Sequence, residues 1–200
     1  EHDKDKPFFM YVAYTAAHWP MHALEKDIAK YKGVYDEGWD AIREARYKKT
    51  RSLGLVDENC KLAPAVNPGW ENEKEKAWRI RCMEVYAAMV DSMDQGIGRI
   101  TGELKSQGQF ENTLVFYMQD NGGCAEKYGL RSNQAKKLQP RAAMGKDELQ
   151  TLMPPRYTRD GQPVLTGHVM PGPATTAIGY DQPWANVSNT PFREYKHWVH

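Results

Sequence analysis

The sequence has few cysteines and no long apolar run, and each absence excludes a class of protein. Its three cysteines, Cys60, Cys82 and Cys124, lie far apart, and no Cys-x-x-Cys pair occurs. A zinc knuckle or a dithiol site is therefore not expected, and we predict free or buried thiols. No apolar run reaches the ~18 residues of a transmembrane helix. We therefore expect no membrane segment.

An excess of charge of one sign is also missing. Lysine and arginine number 27 against 26 aspartates and glutamates, which gives a net charge of +1. No basic surface of the kind that binds a phosphate backbone is indicated, so we predict no nucleic-acid partner. The 200 residues, 40% of them hydrophobic, are enough for one domain with a real core.

Neither end of the chain has the features of a natural terminus. The sequence begins at Glu1 rather than at Met, and it stops at His200 without a helix-ending signal. We therefore expect residues 1–200 to be an internal part of one larger domain. Such a part cannot show a signal peptide, so the sequence leaves the compartment open.

Two short apolar runs on either side of a helical pattern predict an α/β fold. Residues 8–14 are apolar at every position, and residues 112–119 contain the continuous apolar run 114–118, which is typical of strands buried on both faces of a parallel sheet. Residues 72–107 predict a long helix between them, whose apolar stripe comprises Met83, Tyr86, Val90, Met93, Ile97, Ile100 and Leu104. Strand, helix and strand together form a βαβ unit.

The remaining segments are predicted to be shorter helices and loops. Residues 24–53 are helical in pattern, with breaks at Gly33 and Gly38, and residues 54–70 are irregular. Residues 125–187 contain many prolines and show little periodicity. We predict a long loop-rich insertion there, and loops of this length inside a domain are usually functional or mobile.

Asp120 and Asn121 follow the second predicted strand and are the strongest candidates for metal ligands. Ligands bind beyond the carboxyl ends of parallel strands, and a carboxylate beside an amide oxygen suits Ca²⁺ or Mg²⁺ rather than soft metals. Gly122 and Gly123 let the backbone turn tightly next to an ion. The same residues also fit a plain Asn-Gly turn.

His18 and Lys196 are the candidate groups for handling an anionic substrate. His18 follows the first predicted strand, so it faces the same crevice as Asp120 if the two strands are neighbours. An imidazole there can hydrogen-bond an anion or protonate a leaving group, and a lysine can bind a sulfate or phosphate oxygen. His18 could equally be a structural histidine, and Lys196 a solvated surface lysine. His22 is a weaker candidate than His18.

No nucleophile is evident in the sequence. Gly-x-Ser-x-Gly, a phosphate-cradling glycine loop and His-Glu-x-x-His are all missing. If the chain belongs to a hydrolase, the attacking group must come from elsewhere.

Four segments together resemble the sulfatase family, of the arylsulfatase type, within the alkaline-phosphatase-like superfamily. They are Pro7–Tyr14 with Ala17–Pro20, Tyr86–Asp94 with Gly98–Ile100, Asp120–Gly122, and Tyr195–Lys196. Each motif is modest, but their order and spacing are specific.

The resemblance implies a sandwich with a large mixed, mainly parallel sheet flanked by helices, of which this chain is a part. It implies one Ca²⁺ held by Asp120 and Asn121, with two further acidic ligands upstream. His18 and Lys196 would bind and stabilise the sulfate group, and His18 can protonate the departing alcohol. The family's formylglycine arises from a Cys/Ser-x-Pro/Ala-x-Arg motif, which does not occur here.

The expected activity is therefore hydrolysis of a small-molecule or glycan sulfate ester, with the formylglycine outside this chain. We expect the chain alone to be inactive. Two alternatives stay open: a phosphoesterase or phosphonate hydrolase of the same superfamily, and a non-catalytic relative. The resemblance alone favours a periplasmic or secreted protein.

Overall fold

The computed structural model describes residues 6–67, 69–130 and 138–198, and four α-helices lie within these ranges. Helix α1 spans Glu25–Ile28, α2 spans Gly38–Ser52, α3 spans Lys76–Ser106 and α4 spans Asp181–Ser188. Single 3₁₀ turns occur at Ala29–Tyr31, Trp70–Asn72 and Phe110–Asn112. None of the described helices is both long and apolar enough to cross a membrane.

Helix α3 confirms the predicted long helix and forms the centre of the packing. Its first half is buried on more than one face, through Trp78, Cys82, Met83, Val85, Ala88 and Met89. Its second half is less buried, although Met93 continues the predicted stripe. Gly108 has a φ of +70° just beyond the helix, as expected of a glycine that ends a helix.

The predicted helical pieces before α3 are also present, and their glycine breaks have a structural cause. Gly33 has a φ of +83° and Gly38 a φ of +77°, a region that favours glycine. At Gly38 space is decisive as well, because a Cβ atom would lie 2.0 Å from the Trp70 ring. The start of α2 therefore packs directly on that ring.

Three tryptophans join α2, the Trp70 turn and α4. Trp39 meets Trp70 and Trp184 edge to face, with ring centroids 4.7 and 5.8 Å apart. Trp184 is fully buried. Edge-to-face contacts add to the free energy gained by burying such large side chains, so this cluster fixes α4 against the rest of the core.

Arg79 holds the beginning of α4 to the beginning of α3. Its guanidinium lies 3.2 Å from a carboxylate oxygen of Glu73 and 3.2 Å from one of Asp181, and its side chain is 10% exposed. A guanidinium forms geometrically defined bonds to carboxylates, unlike the point charge of a lysine. Asp181 opens α4, so this interaction helps to set the position of that helix.

The two predicted strands are not formed. Residues 8–14 and 113–119 have no strand structure, and the described ranges contain only isolated bridges: His22 with Gly172, Tyr157 with Pro163, and Leu165 with Thr176. A strand exists only through hydrogen bonds to a neighbour, and no backbone of the described residues pairs with these segments in a ladder. Their apolar side chains are exposed, to 92% at Phe9 and 75% at Phe116. The large sheet is therefore not seen.

The described residues of the stretch 125–187, which are 125–130 and 138–187, are loop-rich up to residue 180, but the end of the stretch contributes to the core. Ile178, Tyr180, Trp184 and Ala185 are buried there, and we did not predict helix α4. This packing places α4 against Gly123, whose added Cβ atom would lie 2.7 Å from the carbonyl oxygen of Ala185. Whether the stretch is an insertion in a larger domain stays a prediction.

Candidate functional site

His18 and Lys196, which lie 178 residues apart in the sequence, meet in the structure. The Lys196 ammonium nitrogen Nζ is 3.4 Å from Nε2 of His18. Nδ1 of His18 is 2.8 Å from the carbonyl oxygen of Trp19. A carbonyl oxygen can only accept a hydrogen bond, so Nδ1 carries the proton of the ring. Nε2 can then accept a hydrogen bond from the ammonium. The pair thus offers an imidazole and a cation side by side.

The loop that carries His18 is fixed from behind by packing. Trp19 stacks on Tyr128 with ring centroids 4.6 Å apart. The backbone N–H of Met21 donates to the carbonyl of Ile178, and the N–H of Gly179 donates to the carbonyl of Tyr128. Residues 178–179 therefore connect the His18 loop to the chain that follows Asp120 and Asn121.

Asn189, just after α4, anchors the loop that follows Asp120 and Asn121. Its carbonyl oxygen Oδ1 accepts a hydrogen bond of 2.7 Å from the backbone N–H of Gly123. The carbonyl of Gly123 in turn accepts a bond of 3.0 Å from the backbone N–H of Lys196. One glycine thus links α4, the candidate metal loop and the candidate lysine.

Gly122 and Gly123 are required for close approach rather than for an unusual φ. A Cβ atom on Gly122 would lie 2.3 Å from Oδ1 of Asn189, and one on Gly123 would lie 2.7 Å from the carbonyl oxygen of Ala185. Neither glycine has a positive φ. The predicted importance of this glycine pair is therefore explained by the contact with α4.

Asn121 and Lys196 line one open pocket of about 380 Å³. Its other walls are Gly122, Ser188, Asn189, Thr190, Phe192 and Trp198. Polar groups converge here beside an exposed tryptophan, an arrangement suited to a polar ligand with an apolar part. His22, the weaker candidate, lies elsewhere and bonds the carbonyl of Thr176 through Nε2.

Asp120 and Asn121 fit part of a Ca²⁺ shell. Both are exposed neighbours and offer oxygen ligands, of which Ca²⁺ takes about six to eight. A different set of possible ligands, His18, Cys124 and Glu126, has its donor atoms within 4.8 Å of one another. Its imidazole and thiol do not suit a hard cation such as Ca²⁺.

Glu126 is a site residue that the sequence did not reveal. Its Oε1 lies 3.1 Å from Nζ of Lys196. Partial burial, the largest single influence, acts to raise the pKa of the Glu126 carboxyl. The hydrogen bond from Lys196, a backbone hydrogen bond and the positive charge of Lys196 together hold that pKa below its ordinary value. The carboxylate therefore stays charged and faces the ammonium. Only the fold brings it there, since 70 residues separate the two.

Two of the three cysteines are poorly placed to act as a nucleophile. All three are free, and Cys82 and Cys124 are buried. Burial raises the pKa of the Cys82 thiol, which disfavours the reactive thiolate. The two buried thiols are therefore poor candidates for an attacking group.

The candidate residues are brought together by loops and not by strand ends. The prediction placed His18 and Asp120 at the ends of neighbouring strands. The contacts observed instead run from the His18 loop to Lys196, and from Lys196 to Gly123 and α4. Asn121 lines a pocket with Lys196, and Asp120 is its exposed neighbour in the chain.

Comparison with known proteins identifies one family. The family model described as Sulfatase matches residues 1–154. An uncharacterized sulfatase of Schizosaccharomyces pombe is 42% identical over 125 residues, which is 60% of this chain and 23% of that protein. An arylsulfatase of Klebsiella aerogenes is 27% identical over 195 residues, 96% of this chain and 37% of that protein.

A third relative shows the same pattern of partial coverage. An uncharacterized sulfatase of Escherichia coli K12 is 49% identical over 118 residues, 59% of this chain and 13% of that protein. The chain thus spans between 13% and 37% of the length of these relatives.

Proposed function

Because the chain belongs to the sulfatase family, we propose that it forms one side of a site that hydrolyses sulfate esters of small molecules or glycans. The observation that carries the proposal is the contact of 3.4 Å between Lys196 and His18 beside a pocket that Asn121 also lines. A cation, an imidazole hydrogen-bonding group and a pair of oxygen ligands are the groups that such an ester requires.

Lys196 and His18 act on the sulfate group and the leaving oxygen in this proposal. The ammonium of Lys196 stabilises negative charge on a sulfate oxygen, an electrostatic effect that is large when the donor is already in position. The imidazole of His18, once protonated, donates a proton to the departing alkoxide. Its Nδ1 bond to the Trp19 carbonyl fixes the ring orientation while it does so.

Asp120 and Asn121 hold a divalent cation, Ca²⁺ by their oxygen chemistry, together with ligands outside these two positions. The cation supplies positive charge to the sulfate oxygens. The loop carrying both residues is held by Asn189 through Gly123, so the ligands and Lys196 share one support.

We propose further that residues 8–14 and 112–119 are strands of a large mixed sheet that forms with the rest of a sulfatase domain. Their continuous apolar sequence and their exposed side chains support this, since contiguous exposed apolar surface usually marks a contact with another part or partner. Hydrogen exchange of the full-length gene product tests it. Slow exchange of both segments is expected, and exchange at the rate of an open loop would contradict the sheet.

The nucleophile comes from outside these residues in the proposal. No cysteine or serine of the chain stands in a Cys/Ser-x-Pro/Ala-x-Arg motif. Residues 1–200 are therefore expected to bind and orient the ester without cleaving it.

The test uses the full-length gene product with an aryl sulfate and the matching aryl phosphate. We expect turnover of the sulfate, its loss on chelation of Ca²⁺, and loss of both metal binding and turnover in Asp120→Ala. Asp147→Ala, at an exposed position, is the control and should behave as the parent. Preference for the phosphate would favour a phosphoesterase, and no turnover of either ester would favour a non-catalytic relative.

A further inference from the structure

A carboxylate lies within ion-pair distance of the candidate lysine. The ammonium of Lys196 lies 3.1 Å from Oε1 of Glu126 and 3.4 Å from Nε2 of His18. It therefore bridges a carboxylate and an imidazole. Neither the family match nor the relatives assign a role to Glu126.

Packing and hydrogen bonds hold the backbone on both sides of Glu126. Ala125 belongs to the buried core, the ring of Tyr128 stacks on Trp19, and the carbonyl of Tyr128 accepts from the N–H of Gly179. The second carboxylate oxygen, Oε2, is buried and has no hydrogen-bond partner among the described residues. The Oε1 atom contacts Lys196, whose side chain is only 19% exposed.

A cation other than lysine is a poorer fit to this cluster. The donor atoms of His18, Cys124 and Glu126 are close enough to share an ion. The Lys196 ammonium, however, already contacts two of these three residues, and a second cation there would be repelled. The observed geometry is that of a carboxylate holding a lysine.

We propose that Glu126 is a positioning residue that holds the ammonium of Lys196 beside His18 and releases it to a sulfate oxygen when the ester binds. This rests on the proposed function of the same site. A lysine has a flexible four-carbon stem, so a fixed partner confines its ammonium before substrate arrives and thereby favours reaction. The same carboxylate competes with sulfate and repels it, and thereby weakens binding of the ground state.

Two opposite effects follow for Glu126→Gln, which keeps the shape and removes the charge. The kcat of the full-length gene product on an aryl sulfate should fall about three- to fivefold, because an ion pair that solvent partly reaches contributes modestly. Inhibition by inorganic sulfate should become tighter by a similar factor of about three. Glu126→Asp keeps the charge and should restore part of kcat.

The experiment repeats both measurements in a Lys196→Ala background. If Glu126 acts through Lys196, Glu126→Gln should change neither kcat nor sulfate inhibition by more than about 1.5-fold there, since coupled residues are not additive. Glu44→Gln, at an exposed position on α2, is the control in both backgrounds. Equal effects of Glu126→Gln with and without Lys196 would overturn the proposal, as would weaker sulfate inhibition.

Calorimetry with inorganic sulfate separates this inference from the proposed function. If the gene product turns over no ester, the proposed function fails, and the calorimetric arm still decides the role of Glu126. Tighter sulfate binding in Glu126→Gln only when Lys196 is present supports the inference. A sulfate affinity that is unchanged by Glu126→Gln or by Lys196→Ala would overturn the inference.

Discussion

Replacing Asn189 by alanine should loosen the loop that carries the proposed metal ligands. The change removes the oxygen that accepts the 2.7 Å bond from the N–H of Gly123 and leaves that part-buried donor unpaired. Leaving such a group unsatisfied costs about 1–3 kcal/mol, so the local opening equilibrium should rise about five- to 150-fold. The N–H of Lys196, which donates to the carbonyl of Gly123, should lose protection with it.

Native-state hydrogen exchange of the full-length gene product measures this directly. The amides of Gly123 and Lys196 should exchange at least about fivefold faster in Asn189→Ala, while those of the buried first half of α3 should not change. Asn189→Asp keeps an acceptor and should restore protection of Gly123. Asn72→Ala, which removes only an exposed contact to Glu71, is the matched control. Unchanged exchange at Gly123 in Asn189→Ala would refute the anchoring role of Asn189.

Three further predictions concern stability, pH and the isolated chain. Gly38→Ala should lower the free energy of unfolding by about 1–3 kcal/mol more than Gly54→Ala. Both glycines have a positive φ, but only the Cβ atom added at position 38 would meet the Trp70 ring. Equal denaturation midpoints of the two variants would contradict this. Because Lys196 lowers the pKa of Glu126, their pair should stabilise the fold fully above the ordinary glutamate pKa of 4.5 and lose this effect as the pH falls through the lowered pKa. In Glu126→Gln the free energy of unfolding should therefore fall less steeply as the pH is lowered through this range. The same pH dependence in Glu126→Gln and the parent would contradict the prediction. The isolated 200-residue chain should not turn over an aryl sulfate; clear turnover would show that the nucleophile lies within it.

The helices could be predicted because their signals are local. The apolar spacing of α3 and the glycines at 33, 38 and 108 lie within the segments they shape. Helix α4 was missed because Pro183 and its proline-rich surroundings conceal a helix of only eight residues. Tertiary burial, above all of Trp184, stabilises that helix where local propensity is poor.

The strands could not be settled in the same way. Residues 8–14 and 112–119 have the composition of buried strands, but a sheet depends on partners that are remote in sequence. In the structure neither segment forms a strand, and the large apolar side chains of both are exposed. Their sequence therefore favours strand structure, but the described residues provide no neighbouring strand.

Parts of the candidate site followed from motifs, and other parts required the fold. His18, Asp120, Asn121 and Lys196 stand in short patterns that the sequence displays, and the structure brings His18 to Lys196. Glu126 stands in no such pattern. It is a candidate only because it contacts Lys196, which is 70 residues away in the sequence. Motif spacing cannot report a contact of that kind.

The central claim is that Lys196 handles the sulfate group, and one comparison of two lysines tests it most directly. In the full-length gene product, Lys196→Ala should lower aryl sulfate turnover by more than about tenfold, since a charge-assisted contact contributes about 1.5–3 kcal/mol. Lys127→Ala, at an exposed position in the same loop as Glu126, should stay within about twofold of the parent. Turnover by Lys196→Ala equal to that of the parent would contradict the account.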